Sequence, residues 1–151
     1  MSDAPSLPTR TELDQLLPGR LVGWNAIDAA TKHSRNHDDR CVRIKKRYLA
    51  IPRKAWDEIG SPARADIRWE GWDIYILGCS NGTQVQFNSR QFVRLLFDAK
   101  GGSSWDRMLV RGHYPYRVRR LHGLPCVHVS GCNFSNITPD WLKAWGTQQR
   151  T

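Results

Sequence analysis

Carboxylates are scarce in this sequence. Fourteen Asp and Glu stand against 23 Lys and Arg, a formal net charge of +9 over 151 residues. The shortage is uneven: residues 107–139 hold five arginines and no acid, and residues 40–68 hold nine Lys/Arg against three acids. Such a balance disfavours a basic partner and suits a polyanion such as nucleic acid. No apolar run approaches the length of a membrane-crossing helix, so no membrane partner is expected. The opening MSDAPSLPTR has no apolar h-region. The four cysteines, Cys41, Cys79, Cys126 and Cys132, make no C-x-x-C pair. Together these features predict a cytoplasmic protein with reduced thiols.

Catalytic signatures are missing too. There is no G-x-S-x-G, no P-loop and no H-E-x-x-H. HSRNHDDR (33–40) gathers His33, His37, Asp38 and Asp39, but in a polar stretch without periodicity that reads as a loop. KGGSSWDR (100–107) lacks the Lys-Ser/Thr that follows the glycines of a phosphate loop. Cys126 and His128 share a strand face and could be drawn with Cys132 as a zinc set, yet the spacing matches no standard knuckle. Buried structural cysteines are expected instead, with no metal, no cofactor and no enzyme activity.

What is present is a globular composition, 40% hydrophobic and 10% aromatic, with seven tryptophans. The expected layout is a tail, short helix and loop over 1–40, a β-rich core over 41–137, and a helix and tail over 138–151. TELDQLLPG (11–19) reads as a short helix capped by Thr9 or Thr11 and stopped by Pro18-Gly19. In RYLAIPRKAWDEIG (47–60), Leu49 and Ile51 alternate as in a strand. Pro52 then suits a first helical turn, Ala55, Trp56 and Ile59 follow at helical spacing, and Gly60 is a stop. ADIRWEGWDIYIL (65–77) reads as a hairpin turning at Glu70-Gly71, with Trp72, Ile74 and Ile76 returning on one face. The same strand-to-helix pattern recurs weakly in VQFNSRQFVRLLF and CVHVSGCNF, through the pairs Ile51–Trp56, Phe87–Phe92 and Val129–Phe134. The predicted fold is α+β: mostly antiparallel strands in a small barrel or curled sheet, with short helices after residues 51, 88 and 130. Trp56, Ile67, Trp69, Ile74, Ile76, Phe87, Phe92 and Phe134 are the expected buried set.

Two basic segments are the candidate nucleic-acid contacts. In the first, Arg43 and Lys45 alternate with core residues, and Lys46, Arg47, Arg53 and Lys54 follow. In the second, RGHYPYRVRRLHG (111–123), Arg111, Arg117, Arg119 and Arg120 interleave with His113, Tyr114 and Tyr116. Cations on alternate strand positions suit phosphates, and aromatics between arginines suit stacking on bases. Trp141 and Trp145, four apart in TPDWLKAWG, are candidates for a protein contact.

The stretch from about 42 to 77 resembles the AbrB/MraZ swapped-hairpin domain. Ile51-Pro52 matches that family's strand-ending Ile-Pro, Ile59-Gly60 its helix end, and Ile67, Ile74 and Ile76 the apolar positions of its closing hairpin. The resemblance implies a β-α-ββ unit, a homodimer, and DNA rather than RNA as partner, held by the flanking Arg43, Lys45, Lys46, Arg47, Arg53 and Lys54. The fuller layout also looks like uncharacterised proteins of bacteria and their mobile elements. A phage or mobile-element accessory protein that binds a host protein or nucleoprotein machine is therefore the alternative expectation.

Overall fold

A computed structural model describes residues 7–21, 26–27, 40–45, 47–87, 91–97, 107–110, 112–130 and 134–136. Lys46, Arg111, Cys132, Trp141, Trp145, the HSRNHDDR histidines and the helix expected over 138–151 lie outside the described residues. The helices are α1 (Arg10–Leu16) and α2 (Arg53–Glu58). The strands begin with β1 (Gly19–Arg20), β2 (Ala26–Ile27), β3 (Cys41–Ile44), β4 (Tyr48–Pro52) and β5 (Arg64–Glu70). They continue with β6 (Asp73–Gly78), β7 (Thr83–Gln86), β8 (Phe92–Leu96), β9 (Arg107–Val110) and β10 (Gly112–Pro115). The last three are β11 (Arg117–Leu121), β12 (Leu124–Val129) and β13 (Phe134–Asn136).

Ten strands form one antiparallel sheet in the order β10-β3-β4-β8-β7-β5-β6-β12-β11, with β1 beside β5. Its two end strands, β10 and β11, are successive halves of a single segment joined through Tyr116. The sheet is therefore a nearly closed barrel whose seam is bridged by the chain itself. β10 pairs with β3, His113 opposite Arg43, and β11 pairs with β12, Arg117 opposite His128. The opposite corner is β7, where Thr83 and Gln84 pair with β5 while Val85 and Gln86 pair with β8. Strands that change partners at corners are how two half-sheets share one core.

Inward positions fill that core: Val42, Ile44, Leu49, Ile51, Ile74 and Ile76 are buried together, and Tyr114, Tyr116 and Val118 of the closing segment pack against them. α2 also packs here, with Trp56 fully buried and its Nε1–H donating to the Pro62 carbonyl at 3.1 Å. Pro52 closes β4 because it has no N–H for the ladder. α2 ends in a Schellman motif: Gly60 N–H donates to Asp57 and Ser61 N–H to Trp56, with Gly60 at φ +97°. The smaller sheet, β13-β9-β2, contributes Leu109 to the same core.

A second apolar layer lies outside β6 and β12. Tyr75, Leu77 and Cys126 are covered by Leu13 and Leu17 of the α1 region. A Thr9–Glu12 capping box starts α1. Arg68, fully buried, holds it down: its guanidinium reaches Asp66 (2.9 Å), Asp14 (2.6 Å), the Leu17 carbonyl (3.0 Å) and the Arg10 carbonyl (3.3 Å).

Four expectations are corrected. Residues 92–96 form strand β8, not a helix, because β8 lies between β4 and β7 and its backbone groups are claimed from both sides. The third unit continues as strand β13 against β9, Phe134 opposite Leu109, so no helix runs through Phe134 and, among the described residues, the strand-to-helix unit is observed once, at α2. The hairpin turn is Gly71-Trp72, one residue later than expected; Gly71 at φ +62° fits the first central position of a II′ turn. That shift lifts Trp72 off the face of Ile74 and leaves it 64% exposed. Phe87 follows the end of β7 and is 45% exposed rather than buried.

Candidate nucleic-acid interface

The outer face of β10, β3, β4, β8 and β7 is set by strand alternation. Since Val42, Ile44, Leu49, Ile51, Val93 and Leu95 point inward, the residues between them point out. Strand register then aligns His113, Arg43, Ala50, Arg94 and Gln86 as one row across five strands. Two arginines flank a small alanine, separated by two strand spacings, roughly 10 Å.

Each of these arginines lies on an aromatic ring. The Arg43 guanidinium sits 4.4 Å from the Phe92 centroid and that of Arg94 sits 4.6 Å from the Tyr48 centroid. A third pair stands at the rim where β4 enters α2: Arg53 lies 4.9 Å from the Phe87 centroid and 3.6 Å from Asp57. Arg53 and the exposed Lys54 occupy the positive end of a helix, an unfavourable place for cations that Asp57 partly offsets. A guanidinium can stack on a ring face, and its planar N–H fork also suits phosphate oxygens. Among the described residues, the outward positions of these five strands include no Asp or Glu. Lys45 extends the face beyond β3, and Arg47 is exposed in the turn to β4.

The second basic segment is brought to the first by the seam. Along 112–121, Tyr114, Tyr116 and Val118 face the core, so His113, Pro115, Arg117 and Arg119 share the outward side as the chain passes from β10 to β11. From His113 to Arg117 is at most about 13 Å along the strand. Arg117 and Arg119 are exposed on β11. Arg119 approaches His128 Nδ1 at 3.5 Å, and His128 Nε2 stands 3.3 Å from an Asp73 carboxylate oxygen. The His128 ring stacks on Tyr75 at 4.7 Å and 9°. Burial, then the charge of Asp73, pushes the Tyr75 hydroxyl above its ordinary value. Arg120 is occupied locally, donating to the Gly123 carbonyl at 3.0 Å across the hairpin turn.

Sequence reading misses Arg94 and Phe92 as contributors because FVRLLF also fits helical spacing, and misses Tyr48 because its partner Arg94 comes 46 positions later. Period two in the same letters separates Phe92, Arg94 and Leu96 from Val93 and Leu95, and that alternation was the available signal. It also counted Arg68 toward the first basic segment, whereas that charge is spent inside the fold on Asp66 and Asp14. Cys79 and Cys126 are buried, and burial pushes the Cys126 thiol up to about 11. No family model matches the sequence, and no curated protein or solved structure matches it.

Proposed function

We propose that this protein binds nucleic acid, DNA ahead of RNA, through the outer barrel face that carries Arg43, Lys45 and Arg94 and continues across the seam to Arg117 and Arg119. The observation that supports this reading is the pair of ring-backed arginines on strands whose described outward positions include no Asp or Glu. Counterion release at such a face supplies affinity without sequence readout. A regulatory role of AbrB-like type, with no chemistry of its own, is what the resemblance over 42–77 adds. Strand exchange between subunits is not required to complete the sheet, because β4, β5 and β6 are each paired on both edges within one chain.

The test is affinity against salt. Wild-type protein should bind an oligonucleotide at about 0.1 M salt with a steep negative slope. The Arg43→Ala/Lys45→Ala/Arg94→Ala and Arg117→Ala/Arg119→Ala/Arg120→Ala variants should each weaken binding and flatten the slope by up to about three units. Absence of binding by the wild type, or wild-type slopes in both variants, refutes the reading. Trp72 favours a second one: a large aromatic, 64% exposed at a hairpin tip, is the kind of anchor protein interfaces use. With Trp141 and Trp145 it would belong to a phage or mobile-element accessory protein docking on a host protein or nucleoprotein machine, of defence-system inhibitor type.

A further inference from the structure

Resting on the nucleic-acid reading, we infer that the strand taken by this face is single-stranded, with bases stacked on Phe92 and Tyr48 once Arg43 and Arg94 have moved from ring to phosphate. Two features of the face point to unpaired bases rather than to a duplex.

The first is ring orientation. A guanidinium carbon 4.4 or 4.6 Å above a ring centroid requires that ring to present its flat face, not its edge, to the outside. Phe92 is 8% exposed, with the Arg43 guanidinium over its ring. A nucleobase is an equivalent planar partner for the same surface. In the exchange each guanidinium trades a ring for charge-assisted bonds to phosphate, while the ring trades a cation for a base. A duplex could engage the arginines but would offer neither ring a base, since its bases are stacked on one another.

The second is curvature. The row His113–Arg43–Ala50–Arg94–Gln86 runs around the outside of a nearly closed barrel, and the outward line continues over the corner through Pro115 to Arg117 and Arg119. A duplex is stiff over about 150 base pairs and meets a convex surface along a short tangent. A single strand bends at each nucleotide and can follow cations around a corner. The rings are also far enough apart for different bases. Tyr48 pairs with Leu96, four residues along β8 from Phe92, so their Cα atoms are roughly 14 Å apart.

The experiment uses the full chain with three fluorescent probes of equal length at about 50 mM salt: a mixed-sequence single strand, the corresponding duplex, and an abasic single strand that keeps every phosphate. The single strand should bind tightest. The abasic strand should bind at least about tenfold more weakly, from loss of stacking at two rings. Tyr48→Leu and Phe92→Leu should each reduce single-strand affinity several-fold and abasic affinity by a smaller factor; an equal loss on both probes would count against stacking. Thermal melts identify a Phe92 variant that has lost its fold, and the probe comparison on wild-type protein needs no variant. Equal affinity for abasic and base-bearing strands overturns the stacking inference but leaves phosphate binding standing. Equal or tighter duplex binding overturns it in favour of a regulator of double-stranded DNA. Failure to bind any probe removes the nucleic-acid reading with it.

Discussion

Replacing Arg68 with methionine should detach α1 from the barrel. The side chain is fully buried and joins β5 to three places on the N-terminal segment: the Asp14 carboxylate and the Leu17 and Arg10 carbonyls. Methionine restores much of the volume but none of the five N–H donors. Removing one partner of a buried ion pair costs about 3–5 kcal/mol. Two features place this case at the lower end. Asp66 keeps Arg20 at 3.3 Å and Arg10 at 3.7 Å, so its charge is not abandoned. Asp14 is 60% exposed and returns to water at little cost. The two carbonyls lose about 1 kcal/mol each. The expected loss is about 3 kcal/mol, or roughly 1.5 M in the urea midpoint for a slope of about 2 kcal/mol per M. Amide exchange at Leu13 and Leu17 should accelerate more than at Ile74 or Ile76, because the barrel interior does not depend on the helix. Adding Asp66→Asn should deepen the loss, since it also removes the charge that Arg20 and Arg10 answer. A midpoint within about 0.3 M of wild type would refute the argument.

Trp56→Ala should cost about 3–5 kcal/mol in the same urea melt, because it empties the largest side chain of the core and leaves the Pro62 carbonyl without its donor; an unchanged midpoint would mean that α2 is not a core element. Alkaline conditions should destabilise the fold. Burial pushes the Cys126 thiol from 9.0 up to about 11; burial and the charge of Asp66 raise Cys79, and Tyr75 is raised as well. Raised values mean that the protonated forms favour the folded state, so this stability is intact below about pH 9 and is lost as pH climbs through about 11. Cys126 alone should account for on the order of 2 kcal/mol, visible as a falling urea midpoint that flattens in Cys126→Ala; a midpoint independent of pH over that range would show that the thiol is not held in its neutral form.

Much of this was readable in the letters. Alternation gave β3, β4 and β6, and Pro52 with Gly60 gave both ends of α2, because these signals are local and the tertiary structure agrees with them. Residues 92–96 are not readable in isolation: their apolar letters satisfy both periods, and the decision falls to β4 and β7, whose paired residues lie forty or more positions upstream in one case and eight to ten in the other. The interface split in the same way. Its cations on β3 and β11 are plain in the sequence, but the row through Arg94 exists only once register is set, and register is a property of the pairing. Arg68 shows the reverse failure, in which composition cannot distinguish a charge offered to a partner from one enclosed with carboxylates.

The seam has a consequence in time. His113 pairs with Arg43, seventy positions earlier, so as the chain emerges from the ribosome β3 must wait with an open edge until the closing segment arrives. β6 waits as well, since its second neighbour, β12, is made later still. Contacts this distant in sequence fold slowly, and an open strand edge is a template for another copy of the same chain. A nascent chain stalled near residue 100 would carry two such edges. Arg43 on β3 and Lys45 just after it would then have an earlier duty than any ligand: repelling the same open edge of another copy until the barrel has closed on itself.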